Sequence, residues 1–340
     1  MNAVLPVEIV GGGLAGLSAA LALARGGVPV TVFEAGDYPR HRVCGEFIAG
    51  LDEPTVERLG LRPFLADARP HRTATFHVRG RALRPFPLPS PAWGISRRTL
   101  DARLAGALVS AGGRLRTGTR VGEDDAPPGR VFAVGKRRRG PFWVGLKVHA
   151  RNLPLASDFE LHLGDRAYVG LSHVETGAVN VCGIFAQRGL SERGAGLLAA
   201  YLDACGLRGL ARRLREADAD DASFCVTAAH LGDHRVAPAD RVRLGDACAS
   251  IAPFTGNGLA MALQGAAMAV GPLRAYAREG ADWGDSVRAV AAAQRRRFRR
   301  RLLLASALHP FFTRPGLQEL FAALVRCRLV PLRALYGALH

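Results

Sequence analysis

The chain has 340 residues, 49% apolar, 22% charged and 7% aromatic, which excludes a disordered chain and provides for a large core. No apolar run approaches the roughly 18 residues of a membrane span, and no basic segment leads into an apolar one at the N-terminus, so a cytoplasmic protein is expected. Lysine and arginine number 46 against 29 acids, a net charge of +17, and only Lys136 and Lys147 are lysines; only in the C-terminal part do the arginines cluster as a nucleic-acid site would want, and elsewhere they spread over segments that read as ordinary helix and loop surface, so no nucleic-acid partner is expected.

The first element is a buried strand, Val7-Glu8-Ile9-Val10, running into three glycines. A helix from Leu14 to Ala24 follows, stopped by Gly26-Gly27, and a second strand, Val30–Phe33, ends at Glu34. This is the dinucleotide-binding βαβ order. In Gly11-x-Gly13-x-x-Gly16 the first glycine makes the tight turn, the second lets the backbone approach a pyrophosphate, and the third packs helix on strand. Amides at the helix start, around Leu14 and Ala15, face the phosphates. Glu34, followed by Ala35, lies where a carboxylate takes ribose hydroxyls.

The cradle alone does not separate FAD from NAD. A second segment does: Gly245-Asp246, a loop through Pro253, then Gly256-Asn257-Gly258-Leu259 opening an Ala- and Met-rich helix. The Asp suits a polyol hydroxyl, and the helix N-terminus favours negative charge on a reduced ring. The pairing resembles the FAD-dependent oxidoreductases of the aromatic hydroxylase and geranylgeranyl reductase superfamily, whose second motif is G-D followed by P-x-x-G-x-G. The resemblance implies non-covalent FAD, with Asp246 at the ribityl chain and Gly256, Asn257 and Gly258 under the isoalloxazine. Arg42-Val43-Cys44-Gly45 resembles the K/R-x-C-G stretch of the reductases. Ser96-Arg97-Arg98-Thr99-Leu100-Asp101 resembles their S-R-x-x-L-D helix start, with Arg97 reaching FAD. Val121, ending the next strand, is expected near the adenine. The resemblance implies an α/β fold: a glycine-cradle FAD-binding Rossmann domain interrupted by a β-sheet substrate domain, plus a helical tail. The expected boundaries are 1–70, 93–135 and 225–284 for the FAD domain, 71–92 and 136–224 for the substrate domain, and 285–340 for the tail.

The chain also departs from that superfamily. Val134 stands where hydroxylases carry the Asp linked to FAD and NADPH handling, and no second nucleotide fingerprint exists; NADPH or another donor therefore has no encoded fold, and Lys136–Arg139 reads as a solvated basic turn. Where geranylgeranyl reductases carry Y-x-W-x-F-P this chain has Tyr168-Val169-Gly170-Leu171-Ser172-His173, and Trp143 stands alone where flavin halogenases have paired tryptophans. Met261, Gln264 and Gly265 follow the reductase branch.

Strands at 143–148, 159–163, 167–171 and 179–185 are expected to form a second sheet roofing the flavin. Cys44, Tyr168 and His173 are the candidate catalytic side chains, and Asn180 a further polar contact. The six cysteines form no C-x-x-C pair and read as free thiols; His230 and His234 flank a turn, and no metal is expected. From Arg274 onward there are 13 arginines against four acids. Arg295, Arg296, Arg297, Arg299, Arg300 and Arg301, next to leucine-rich helices, offer an anionic membrane surface a contact, so a peripheral location on the inner face is the alternative to a free cytoplasmic one. The leading functional expectation is a monooxygenase hydroxylating a hydrophobic aromatic or polyketide-like molecule of secondary metabolism. The alternatives are a C=C reductase of a prenyl or lipid substrate and a non-catalytic flavin-binding protein.

Overall fold

The computed structural model describes residues 3–135, 143–229 and 235–340; the Lys136–Arg139 turn and the His230/His234 pair lie outside the described residues. Strands β1 (Val7–Val10) and β2 (Val30–Phe33) pair in parallel across helix α1 (Leu14–Arg25). The chain then passes through β3 (Phe47–Ile48), α2 (Glu53–Leu59) and the hairpin strands β4 (Arg69–Val78), β5 (Arg81–Ala82) and β6 (Phe86–Gly94). It returns by α3 (Arg97–Ser110), β7 (Arg114–Arg116) and β8 (Arg130–Phe132). A second excursion holds β9 (Trp143–Arg151), β10 (Phe159–Gly164), β11 (Ala167–His173), β12 (Val179–Ala186), α4 (Gly194–Ala204), α5 (Arg208–Glu216) and β13 (Asp218–Ala229). Strand β14 (Val242–Arg243) and α6 (Gly258–Glu279) come back to the first layer, and α7 (Trp283–Leu308), α8 (Pro310–Thr313), α9 (Pro315–Arg326) and α10 (Leu332–Leu339) complete the chain.

Among the described residues one sheet runs β14-β8-β1-β2-β7 with every pairing parallel. Helix α1 is buried on nearly all sides, with Leu17, Ala19, Ala20, Leu21 and Leu23 inaccessible, because α3 and α6 pack against it in one core with the sheet. An Ala-rich helix lets its neighbours approach this closely. Helix α3 starts where expected: Ser96 Oγ accepts the Thr99 amide at 3.2 Å, and Leu100, Leu104 and Leu108 are buried.

The second sheet runs β13-β9-β12-β11-β10-β4-β6-β3, with β5 on β4. Its pairs are antiparallel except β10 beside β4. Strand alternation sends Leu146, Val148 and Ala150 of β9 under α4 and α5, and Lys147 and His149 to the opposite face. This sheet takes in residues 47–48, and its edge strand β13 runs across the 224/225 division.

Two local expectations are corrected. The strand expected to end at Val121 ends at Arg116, because beyond it the Thr119 amide leaves the ladder to bond the Glu34 carbonyl at 2.9 Å. The tail is fastened at two places: Phe298 and Leu302 pack with Cys248 and Ile251 of the loop before α6 and with Met261 of α6, while Phe312 and Phe321 pack with Val78, Leu161 and Tyr168 of the second sheet. Arg301 is consequently buried, donating to Gln264 Oε1 at 2.8 Å and to the His340 carbonyl. It therefore drops out of the expected basic surface, and Arg297 is paired with Asp52 at 3.0 Å. Arg295, Arg296, Arg299 and Arg300 remain exposed. No helix among the described residues is long and apolar enough to cross a membrane.

Candidate functional site

The two sheets enclose a cleft of about 870 Å³. At one end lies the β1–α1 turn. Gly11 has φ +107°, and a Cβ there would run into the Ala133 carbonyl of the strand-end beside it; a Cβ at Gly16 would strike the Gly11 carbonyl. These two glycines are required by packing. Gly13 is different: its backbone is extended, and a Cβ would meet only Arg97 Nη2, at 3.9 Å. The space in front of Gly13 is open, and the unpaired amides at the start of α1 face it beside Leu14 and Ala15. This is the cradle geometry a pyrophosphate requires.

Glu34 accepts the Gly12 amide at 2.9 Å, the Gly36 amide at 3.0 Å and Arg40 Nη2 at 2.5 Å. Burial alone would raise its pKa, but the Gly36 amide and Arg40 outweigh it and hold the carboxyl below the usual range. A ribose hydroxyl would join an anion already oriented by the cradle. Arg42 lies between Glu34 and Asp101, at 3.5 and 3.2 Å. Arg97 is gripped by Asp101 through two bonds of 2.8 and 2.7 Å; burial opposes its charge, yet Asp101 more than restores it. Ala35 and Val121 also border the cleft, the latter from a loop.

The second glycine segment lies on the same cleft. Gly245, Asp246, Pro253, Gly256, Gly258 and Leu259 line it, with the N-terminus of α6 between the cradle and the second sheet. Gly256 has φ +66°, and a Cβ would press on the Phe47 ring at 2.8 Å. Asn257 departs from its expected place: its side chain is buried away from the cleft, with Nδ2 donating to the Leu339 carbonyl at 3.1 Å. It ties the glycine turn to the tail.

The Arg42–Phe47 loop forms the adjoining wall, with Cys44 and Gly45 on the cleft. Cys44 Sγ accepts the Glu46 amide at 3.4 Å, and burial pushes its thiol up against the lowering effect of Arg97. That direction disfavours the thiolate, the form a cysteine nucleophile needs. Behind the loop, Asn180 Nδ2 donates to the Cys44 carbonyl at 3.0 Å and Ser172 Oγ to the Gly45 carbonyl at 3.1 Å. Asn180 therefore positions the loop and does not line the cleft.

Across the cleft stands an apolar wall, with Phe159, Leu161, Tyr168, Ile184 and Phe254 among its residues. Phe254 stacks on Phe312 of the tail with ring centroids 3.9 Å apart, and Tyr168 meets it edge-on at 6.4 Å. Burial raises the Tyr168 phenol, so it stays protonated. His173 does not line the cleft: it is the last residue of β11, and its backbone carbonyl lies against Gly94 at the end of β6.

Sequence reasoning missed His41, Glu46, Lys147 and His149, which meet at the cleft wall. Glu46 Oε2 lies 2.6 Å from His149 Nε2 and its Oε1 3.4 Å from Lys147 Nζ, which is 2.9 Å from His41 Nδ1. His41 and Glu46 flank the Cys44 motif, but Lys147 and His149 come from β9, a hundred residues on. Only the two-residue spacing of Lys147 and His149, placing them on one strand face, was available as a signal. The ammonium of Lys147 thus contacts two of the three side chains, His41 and Glu46, whose donor atoms cluster here with that of His149. A second buried group, His77, Glu160 and His162, lies off the cleft and carries its own cation, Arg213 at 3.1 Å from Glu160.

Residues 9–46 match the family described as NAD(P)-binding Rossmann-like domain. A menaquinone reductase of Mycolicibacterium smegmatis is 32% identical over 139 residues, 39% of this chain. The matched region spans only 34% of that relative's length. Solved structures are similar over nearly the whole chain. HpxO of Klebsiella pneumoniae, in complex with FAD and uric acid, has a TM-score of 0.77 at 18% identity, covering 98% of this chain and 96% of its own. A geranylgeranyl bacteriochlorophyll reductase-like protein of Thermoplasma acidophilum has 0.74 at 16% identity, covering 98% and 95%.

Proposed function

We propose that this chain, which shares the fold of FAD-dependent monooxygenases and geranylgeranyl reductase-like proteins, is an FAD-dependent oxidoreductase acting on an apolar substrate. One observation carries the reading: a single cleft joins a pyrophosphate cradle, a helix N-terminus and an apolar wall, in that order. Within the class, we read the reaction as reduction of a carbon–carbon double bond in a lipid-like molecule of the isoprenoid quinone type. The sequence relative named as a menaquinone reductase favours it, as does the tail, which presents Leu303 and Leu329 exposed alongside Arg299, Arg300, Arg326 and Arg328. Such a surface suits contact with an anionic bilayer, where that substrate resides.

FAD, when bound, supplies two-electron chemistry. The residues do the rest. The α1 amides hold the pyrophosphate, Glu34 the ribose and Asp246 the polyol chain. The α6 N-terminus favours negative charge at the ring edge. Phe159, Leu161, Tyr168, Ile184 and Phe254 exclude water and hold the apolar substrate.

A hydroxylase remains the second reading. The observation favouring it is Gly170, whose open face is filled by the Phe159 ring at 3.4 Å, so the wall at this point is shaped by one ring in place of the Trp of prenyl reductases. Purified protein would be bleached anaerobically with NADPH or dithionite and then given menaquinone without oxygen. Loss of one side-chain double bond supports the reductase; turnover only when air is admitted, with oxygen in the product, supports the hydroxylase. A colourless protein that takes up no FAD would overturn both.

A further inference from the structure

The cluster at the cleft wall has no part in the cradle and ribose site proposed above. Lys147 and Glu46 are fully buried and His149 nearly so; His41 alone is half-buried, with its ring on the cleft. Of the 46 basic residues all but two are arginine, yet among the described residues the cation buried on this wall is Lys147. Burying such ions costs several kcal/mol each unless they are paired and hydrogen-bonded. Glu46 moreover holds a left-handed backbone, φ +51°, uncommon for a residue with a side chain. Its Oε1 also accepts the Arg97 amide at 3.0 Å, which joins the cluster to the start of α3 and to the Cys44–Gly45 loop.

Resting on the flavin reading above, we infer that this cluster takes up one proton from solvent when the cofactor is reduced, and that His41 receives it. A bound flavin that took two electrons from the reductant and one proton would carry a net negative charge. That charge would favour protonation of an exchangeable group on the cleft lining, where His41 lies. His41 begins neutral: burial and then the Lys147 ammonium lower it to about 4. Its Nδ1 accepts from Lys147, which assigns the ring proton to Nε2. On reduction a second proton would bind Nδ1, which breaks the hydrogen bond Nδ1 accepts from Lys147; the ammonium would turn away and keep its pairing with Glu46 Oε1, 3.4 Å off. The balance is two electrons and two protons, one proton to the ring and one to His41. The groups facing His41 are Lys147, His149, Glu46 and Arg98. Those facing Lys147 include Cys182 and Cys225 on the flanking strands, and those facing Glu46 include Arg97 and Cys44.

The test is the midpoint potential of the flavin-loaded protein between pH 4.5 and 8. One proton per two electrons gives a slope of about 30 mV per pH unit, and two protons twice that. The wild type is expected to show the steep slope at acidic pH and a break to the shallow one as pH rises. His41→Asn is expected to be shallow throughout. Lys147→Met frees His41 from the neighbouring charge and is expected to move the steep window to higher pH. A purely structural cluster would weaken flavin retention in both variants and leave the break in place. A shallow wild-type slope, or a steep one surviving in His41→Asn, overturns the inference, and His41→Asn decides it alone where Lys147→Met does not fold. Failure of the wild type to bind flavin would instead overturn the cofactor reading, and this inference with it.

Discussion

Gly11 and Gly13 belong to one motif, yet the structure gives their alanine variants opposite outcomes. Gly11→Ala places a methyl group against the Ala133 carbonyl at φ +107°. The backbone conformation costs about 1–2 kcal/mol and the overlap about 1–3 kcal/mol, together roughly 2–5 kcal/mol. With an unfolding entropy near 2.1 cal/mol/K per residue, 340 residues give a Tm loss of about 3–7 °C. Gly13→Ala has an allowed backbone, φ −82° and ψ −177°, and an open cleft in front. The poorer cap, costing about 0.5–1 kcal/mol, is offset by an unfolded-state gain of similar size, so Tm should move by about 1 °C or less. Its methyl group instead stands where the pyrophosphate approaches. One or more amides then lose their partner, at about 1–3 kcal/mol, and FAD binds roughly fivefold to 150-fold more weakly. Melting curves of the apoprotein and flavin-fluorescence titrations separate the two effects. Equal Tm losses in both variants, or wild-type FAD affinity in Gly13→Ala, would refute the assignment of packing to one glycine and phosphate approach to the other.

Acid should destabilise the fold in two windows. His71 and His77, buried and lowered to about 4, are outcompeted for protons by the unfolded chain, so stability falls as pH drops from about 6.5 towards 4. Glu160, held at about 2 because the His162 bond and Arg213 outweigh burial, contributes stability present above about 4.5 and lost as pH falls through 2; urea midpoints across pH 2–7 check both, and His71→Phe should flatten the upper window. Phe312→Ala removes a buried ring stacked on Phe254 and should cost about 3–5 kcal/mol, with proteolysis then beginning in the tail; an unchanged cleavage pattern would contradict the fastening described. Reversing Arg295, Arg296, Arg299 and Arg300 to Glu should abolish flotation with acidic vesicles at low salt, while the Tm stays within about 2 °C.

The local elements were legible because their signals are local. The strand, glycine turn, Ala-rich helix and acid around Gly11–Glu34 can be read within 30 residues, since each glycine answers a backbone need within the same turn. Ser96 as a cap, the leucines of α3 and the helix opened by Gly258 are of the same kind. The tertiary structure decided where the chain crosses itself. Asn257 lies inside the second glycine segment, yet its amide is taken by the tail carbonyl of Leu339; Arg301 lies inside a basic run, yet Gln264 and His340 bury it. No local pattern shows that a polar side chain will be claimed by a partner dozens of residues away. The Glu46–Lys147–His149 cluster is the extreme case. Its members are ordinary in sequence, and they acquire chemistry only because β9 is laid against the Cys44 loop and water is excluded there, so that unlike charges must find one another.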